Sequence, residues 1–474
     1  MTSIMRKKNL LVLGGGPGGY AAAFLAADMG MNVTLVDSGR KPGGVCLHRG
    51  CIPSKALLHL AKLINETREA KEWGIEFGDP KIDIGHVRKW KDHVVDKMAS
   101  GLVLLCKQRG VNFVTGHGVF QDSNTVVVSG KDKIRFDHCI LAVGSRPILP
   151  KMFEKIDPPV LDSTSALEVE NIPKKILVVG GGYIGLEMGT VYAALGSKVT
   201  VVEMMDSLLP GVDTDLVRPL QVRLKKQFEN IFLKTRVESV EKRNSGFKAV
   251  LEGAVTEKEQ TFDQILVAVG RQPNSNGIGL ENTKVKTAEN GFVEIDHKQQ
   301  TADSSISAIG DVVGGAMLAH KASAEARVAV EVIAGKEAGF DHRAIPAVVF
   351  TDPEIAWAGL TETEARKGNR EINIAKFPWG ASGRAQTLGR PDGFTKLILD
   401  PETGQILGMG LVGSGTGELI GEGVFAIEVG ALAEDLALSI HPHPTLSETL
   451  MEAAEVYLGK SPHVYQKPSR EVEE

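Results

Sequence analysis

Aromatic residues make up 5% of this chain, cysteines number four in 474 residues, and 21 are prolines. So few cysteines in so long a chain exclude a disulfide-stapled scaffold and fit a reducing cytoplasm, where a disulfide would be catalytic rather than structural. No apolar run approaches the roughly 20 residues of a membrane span, so no membrane partner is expected. Excess positive charge is missing too: 54 Lys and Arg stand against 59 Asp and Glu, a net charge of −5 that argues against nucleic acid as the main partner. Arg6, Lys7 and Lys8 before Leu10 to Leu13 resemble the start of a leader, yet the apolar run breaks at once into Gly14 to Gly19. A strand and a tight turn fit better than a secretory signal. What the chain has in plenty is glycine, 53 residues, which points to turns and to backbone lying close against ligands.

Those glycines fall into a pattern that occurs twice. Asn9 to Leu13 is a short apolar run, Gly14, Gly16 and Gly19 follow in G-x-G-x-x-G spacing, Ala21 to Met29 reads as a small-residue helix, and Val33 to Val36 reads as a strand ending at Asp37. Lys175 to Val179, Gly180, Gly182 and Gly185, a helix from Ile184 to Leu195, and a strand from Lys198 to Val202 ending at Glu203 repeat it. The physical reading is a tight turn, close approach of backbone to a pyrophosphate, a helix N-terminus facing the negative charge, and an acid placed for a ribose. Two complete fingerprints imply two dinucleotide-binding domains and two dinucleotides. Glu203 would accept from a 2′-hydroxyl and repel a 2′-phosphate, and no arginine follows it immediately, so NAD is favoured over NADP.

Between the first unit and the next helix lies Gly43-Gly44-Val45-Cys46-Leu47-His48-Arg49-Gly50-Cys51-Ile52-Pro53-Ser54-Lys55. A five-residue step in a regular helix rises about 7.5 Å, beyond the roughly 4.4–6.8 Å that a disulfide allows between Cα atoms, so the backbone must tighten or break between Cys46 and Cys51. Gly50 supplies the freedom, and Pro53 suits the first turn of a helix to Lys71. So short a loop gains little as a staple; a redox pair fits better, with buried thiols or half a metal site as the alternatives. Lys55, near a helix start, either has a specific partner or is solvated; Glu187 is a candidate partner or a surface charge. Cys106 and Cys139 sit in apolar settings and read as core.

The segment Ser145 to Pro159 reads as an irregular domain joint. Gly116-His117-Gly118 brings backbone near a ligand or is a plain turn. Beyond about Asn276, Gly291 to Asp296 and Ile306 to Ile309 are strand-like, and Asp311 beside Gly310 would grip a hydroxylated chain or serve as a turn residue. Near the end, His441-Pro442-His443-Pro444-Thr445-Leu446-Ser447-Glu448 precedes a helix over 446–457. Thr445 and Glu448 have capping-box spacing, and two prolines restrain His443, as suits a base held in one orientation or a simple proline turn. The tail from Lys467 to Glu474 is charged and expected to lack fixed structure.

With these pieces assembled, the chain resembles the dihydrolipoamide dehydrogenases, flavin-containing E3 components within the class I pyridine nucleotide-disulfide oxidoreductases. The resemblance runs from about Leu10 to Tyr457 and rests on Gly43 to Lys55, on Ala308-Ile309-Gly310-Asp311 with Met317-Leu318-Ala319-His320-Lys321, and on His443 to Glu448. It implies an α/β homodimer of two Rossmann-like domains, a central domain and an α+β interface domain. The expected boundaries are 1–148 for FAD with the redox disulfide, 149–275 for NAD, 276–344 for the central domain and 345–474 for the interface. Gly14, Gly16, Gly19 and Asp37 would hold the ADP half of FAD, Asp311 its ribityl chain, and Gly118 and Ala319 would contact it through backbone. Lys55 would lie by the flavin, paired with Glu187. Gly180, Gly182, Gly185 and Glu203 would bind NAD, with Val237 and Gly270 at its edges and Tyr183 near the nicotinamide pocket.

The resemblance also implies a reaction. His443, oriented by Glu448 and serving the other subunit, would deprotonate dihydrolipoamide; the thiolate would attack Cys46, and Cys51 would pass the electron pair onward to FAD and NAD+. Partners would be lipoyl domains and the acyltransferase core of a 2-oxoacid dehydrogenase complex, or the lipoyl carrier of glycine cleavage. His48 and Arg49 depart from the family's usual residues, and their charge is expected to stabilise thiolates and raise the disulfide potential. The rival readings are a glutathione- or mercuric-type reductase, which Glu203 and the lack of cysteine beyond Cys139 oppose, and a non-catalytic docking subunit, which intact Cys46, Cys51 and His443 oppose.

Overall fold

The computed structural model describes residues 8–157, 159–243 and 246–465. Arg6, Lys7 and the charged tail from Lys467 lie outside those residues. Strand β1 (Asn9–Leu13), helix α1 (Pro17–Asp28) and strand β2 (Asn32–Asp37) make the first unit. Helices α2 (Gly44–Arg49), α3 (Cys51–Glu69) and α4 (Ile84–Gln108) follow, then β3 (Asn112–Thr115). An antiparallel trio of β4 (Gly118–Asp122), β5 (Thr125–Val128) and β6 (Asp132–Arg135) leads into β7 (His138–Leu141), β8 (Ser145–Pro147) and the short α5 (Lys151–Glu154).

The second unit comprises β9 (Lys175–Val179), α6 (Tyr183–Ala194), β10 (Lys198–Val202), α7 (Thr214–Gln227) and β11 (Asn230–Phe232). A second antiparallel trio, β12 (Thr235–Arg243), β13 (Gly246–Gly253) and β14 (Glu259–Phe262), precedes β15 (Gln264–Val267) and β16 (Arg271–Pro273). The chain then returns to the first unit with β17 (Ile306–Ala308) and α8 (Ala319–Ile333). The remainder is β18 (Ala347–Val349), β19 (Glu354–Gly359), α9 (Glu362–Lys367), β20 (Asn373–Pro378), α10 (Gly383–Thr387), β21 (Phe394–Leu399), β22 (Ile406–Gly413), α11 (Thr416–Val429), α12 (Ala433–Leu438) and α13 (Glu448–Tyr457).

Both glycine-bearing units form parallel sheets, in the order β17-β7-β1-β2-β3 for the first and β11-β10-β9-β15 for the second. Their strands are continuous apolar runs, as a sheet covered on both faces demands: Leu11, Val12, Ile140, Leu177 and Val178 are all fully buried. Because β17 pairs with β7 and α8 packs on α1, residues near 310 are delivered to the C-terminal edge of the first sheet. That edge is where an open α/β sheet binds its ligand. The last region is a five-stranded antiparallel sheet, β18-β19-β22-β21-β20, packed against α11 and α13. No helix among the described residues is long and apolar enough to cross a membrane.

Two expectations from the sequence are corrected. The segment after Ser145 is not merely irregular: β8 pairs antiparallel with β16, a two-stranded ribbon where the chain enters and leaves the second unit. Gly291 to Asp296 is not a strand; Val293 makes a lone bridge to Thr287. The second unit is clamped to the last sheet by Lys396, fully buried on β21, whose Nζ lies 2.8 Å from Asp213, 2.9 Å from Asp215 and 2.9 Å from Glu362. Burial works against that ammonium charge, but hydrogen bonds to the carboxylates outweigh it and hold the lysine pKa above its ordinary value.

Candidate active site

The helix breaks where the cysteine spacing requires it. α2 ends at Arg49, Gly50 interrupts the helical backbone, and Cys51 opens α3, with Pro53 in its first turn. The break turns both thiols into one cleft, which is also lined by Gly16, Asp37 and Asp311. Cys46 is half-buried and Cys51 is exposed to the cleft; both are free thiols within hydrogen-bonding reach of each other. The two sulfurs are thus placed as a redox pair needs them. The shared hydrogen bond separates the two sulfurs chemically. Donating its S–H to Cys51 pushes the Cys46 pKa up, and accepting it brings Cys51 down to about 7, against the pull of burial and with help from the Lys55 charge.

Lys55 has the specific partner that a cation near a helix start called for. α3 packs on α6, which sets Lys55 Nζ 2.8 Å from Glu187 Oε2 and 4.6 Å from the centre of the Phe350 ring. The backbone N–H of Phe350 donates to the other Glu187 oxygen at 3.0 Å. Three parts of the chain thus meet beside the thiols, and Glu187, 4% exposed in its side chain, is fully engaged. Arg49 lines the same cleft, and the cation with the strongest effect on the thiols is Lys55. The His48 ring nitrogen meets the Pro42 carbonyl at 3.1 Å and covers Gly43, so it braces the entry to α2.

The two glycine turns share one internal design. Gly14 and Gly180 take φ of +107° and +108°, and a Cβ on either would lie 2.2 Å or 2.4 Å from the carbonyl oxygen of Ala142 or Ala268. Asp37 Oδ2 accepts from Gly15 N at 2.5 Å; Glu203 Oε2 accepts from Gly181 N at 2.7 Å. Gly19 and Gly185 are packing glycines, each backed against the carbonyl of the first glycine in its own motif. The middle glycines differ from these: Gly182 has no atom within 4 Å of its Cβ position, and Gly16 meets only Gly44 Cα, at 4.0 Å. Backbone N–H groups at the starts of α1 and α6 face these openings, the cradle a pyrophosphate requires.

Gly16, Asp37, Lys55, Asp311 and Ala319 line the first cleft; Gly180, Gly182, Glu203, Val237 and Gly270 line a second cavity. Gly185 lines neither, for the packing reason just given. Gly118 does not line the first cleft either; it opens β4, where a Cβ would fall 2.6 Å from Leu13 Cδ1. Tyr183, Ile184, Met317 and Arg271 line both spaces, so the two sites adjoin there. Arg271 Nε donates to Ser145 Oγ at 2.7 Å, and that hydroxyl donates to Asp311 Oδ2 at 2.5 Å. Sequence reasoning missed Ser145, Arg271 and Phe350. The first two open β8 and β16, just past the C-terminal ends of the parallel strands β7 and β15, a position that could have marked them.

Near the C-terminus, His443 Nδ1 donates to Glu448 Oε1 at 2.9 Å, leaving Nε2 as the outward acceptor. Glu448 Oε2 accepts from the backbone N–H of Thr445 at 2.7 Å. α13 begins at Glu448 with Ser447 before it, so Thr445 does not cap it by its side chain as expected; its hydroxyl turns to Pro442 and Ser447. Burial opposes the Glu448 charge, yet the Thr445 and His443 hydrogen bonds hold its carboxyl below the ordinary range. His443 is 75% exposed in its side chain and does not line the cleft of its own chain.

Residues 8–326 match the pyridine nucleotide-disulphide oxidoreductase family, and residues 345–454 match that family's dimerisation domain. The chain belongs to this family. It is 47% identical over 457 residues to a dihydrolipoyl dehydrogenase of Vibrio cholerae, covering 96% of each chain. It is 44% identical over 462 residues to one of Haloferax volcanii, covering 96% of this chain and 97% of the relative. Among solved structures it resembles LpdA of Mycobacterium tuberculosis, with a TM-score of 0.87 and 25% identity over 94% of this chain and 99% of that one. The HOCl-induced flavoprotein disulfide reductase RclA of Escherichia coli gives 0.85 and 26% over 94% and 99%. The chain is thus a disulfide oxidoreductase of the flavoprotein type, using FAD and NAD, with residues fit to cradle two dinucleotides.

Proposed function

We propose that this enzyme oxidises dihydrolipoamide to lipoamide with NAD+ as final acceptor, FAD lying in the cleft beside the thiols and NAD in the second cavity. The observation that carries the reading is the Cys46–Cys51 pair beside Lys55 and Glu187 in the cleft of the first glycine turn. Bound FAD supplies a two-electron relay between a dithiol and a nicotinamide. The chain's own residues do the thiol chemistry. His443 Nε2 takes the proton of one substrate thiol, and Glu448 on Nδ1 stabilises the imidazolium that results. The substrate thiolate attacks Cys46 of the oxidised pair, and the S–S bond breaks toward Cys51. Cys51 leaves as a thiolate that the Lys55 charge favours. The second substrate thiol then loses its proton and displaces Cys46, closing lipoamide and leaving Cys46 and Cys51 as a dithiol.

A homodimer completes the site in this reading. His443 stands outside the cleft of its own chain, within a dimerisation domain whose Phe425, Val429, Leu438 and Ile440 side chains are exposed. An apolar surface of that kind beside the base suits a second copy, whose cleft the base would serve. Lipoyl domains and the acyltransferase core of a 2-oxoacid dehydrogenase complex, or a lipoyl carrier protein, are the proposed partners. Cys106 and Cys139, buried free thiols, fit a reducing compartment, and we place the enzyme in the cytoplasm on that ground.

The test is NADH formation from dihydrolipoamide by the FAD-loaded protein. Cys46→Ala should abolish it while NADH oxidation by an artificial acceptor persists; His443→Gln should slow dihydrolipoamide oxidation by about 10²–10⁴. Turnover of glutathione but not dihydrolipoamide would reject the proposed substrate.

A further inference from the structure

We propose that Glu252 is a specificity-determining residue for the nucleotide of the second cavity. It occupies Arg236 at the rim, and so withholds a guanidinium from any 2′-phosphate. The proposal rests on the reading of that cavity as the NAD site.

Sequence alone placed no arginine immediately after Glu203, but the fold brings one into the same cavity. The backbone N–H of Thr235 donates to the Glu203 carbonyl at 2.9 Å, and Lys234 N to the Met205 carbonyl at 2.8 Å, so the start of β12 lies along the loop that carries the acid. Arg236 is the next residue, and it lines the same cavity as Glu203. An arginine sharing the cavity of a ribose-binding acid can accommodate NADP, since arginine takes phosphate in a bidentate fork.

Here that guanidinium already has an occupant. Arg236 and Glu252 stand directly opposite in the β12–β13 ladder, and Arg236 Nε and Nη2 meet Glu252 Oε2 at 2.7 Å and 2.5 Å. Glu238, on β12 as well, adds a further carboxylate to the cavity lining. A 2′-phosphate would have to displace Glu252 as well as tolerate Glu203. Both members of the pair are largely exposed, 61% and 49% in their side chains, so the pair is weak and its removal releases Arg236 without disturbing the core. Selectivity is therefore shared: Glu203 sets it, and Glu252 keeps an available cation from eroding it.

Binding of adenosine 2′,5′-bisphosphate and of 5′-AMP to the FAD-loaded dimer, measured by titration calorimetry, separates the possibilities. Glu252→Gln should raise affinity for the bisphosphate relative to 5′-AMP by about three- to fivefold, the size an exposed ion pair supports. The gain should vanish in the Arg236→Gln/Glu252→Gln double variant. An unchanged ratio in Glu252→Gln, or a gain that survives loss of Arg236, overturns the proposal. If 5′-AMP fails to bind the wild-type enzyme, the cavity is not the nucleotide site and the underlying reading falls first.

Discussion

At the first glycine turn a Cβ on Gly19 would lie 1.8 Å from the Gly14 carbonyl oxygen, and at the second a Cβ on Gly185 would lie 2.2 Å from that of Gly180. The backbone solution is shared, but the surroundings are not. The first turn is overlain by Gly44, whose own Cβ position is 2.5 Å from Gly16 Cα, and by the cysteine helix that follows. The second turn is open at Gly182 and flanked by Met204 and Met205, exposed at 69% and 53%. A turn roofed by the next stretch of chain suits a nucleotide that stays; one left open suits a nucleotide that must enter and leave each cycle.

That contrast can be broken most strongly at the Lys396 clamp. Lys396→Met would leave Asp213, Asp215 and Glu362 without their buried cation and is expected to cost about 3–5 kcal/mol, read as a lowered Tm. Hydrogen exchange should rise in β9, β10 and α7 while β1 and β7 stay protected; uniform loss would mean the two nucleotide units do not open separately. The sign with pH follows from the acids. Burial opposes the charges of Asp213 and Asp215, but the lysine hydrogen bonds hold both carboxyls below the ordinary 3.8. Their stabilisation is complete above that value and fades as pH falls through their lower folded pKa. Lys396→Met should remove the part carried by Asp213 and leave the part that Lys376, 2.7 Å from Asp215, supplies.

Next in size are the packing glycines. Gly19→Ala is expected to weaken FAD retention by about ten- to a hundredfold through a backbone clash, measured by flavin absorbance after gel filtration. Gly185→Ala should keep the flavin and lose nucleotide binding by a similar factor. If Gly185→Ala also sheds flavin, the two turns are not independent.

The smallest effect is a titration. In the dithiol enzyme the thiolate absorbance should appear with a midpoint near pH 7, from Cys51, which is charged above it and protonated below. Cys46→Ala should raise that midpoint most, Lys55→Met less, and His48→Asn with Arg49→Val not at all. A shift from the last pair would restore the charge role that the His48–Pro42 hydrogen bond argues against.

Legibility in the sequence followed the range of the interaction. β1, β9 and β10 were read to the residue, because continuous apolar runs ended by glycine leave little choice. The break between Cys46 and Cys51 was legible because covalent reach sets it. The ribbon of Ser145–Pro147 with Arg271–Pro273 was not, since its pairing joins segments 126 residues apart and neither half is apolar enough to announce a strand. Arg271 over Ser145 and Asp311 was hidden for the same reason, and Arg236 opposite Glu252, only 16 residues away, because the hairpin register that pairs them is not marked in the chain. Glu448 was legible only in part: its spacing from Thr445 marks the carboxylate-to-backbone bond, while the bond to His443 closes through the turn between them.

Spacing and residue type by themselves determined two nucleotide turns, a cysteine pair on a broken helix and a restrained histidine, since each depends on contacts within a few residues. Only the tertiary structure decided that Lys55 meets Glu187, that Cys51 carries the lower pKa, that His443 stands outside its own cleft and that a paired arginine lines the cavity of Glu203. Those outcomes depend on which distant charges and carbonyls share a small volume, and that is fixed by packing and not by order along the chain.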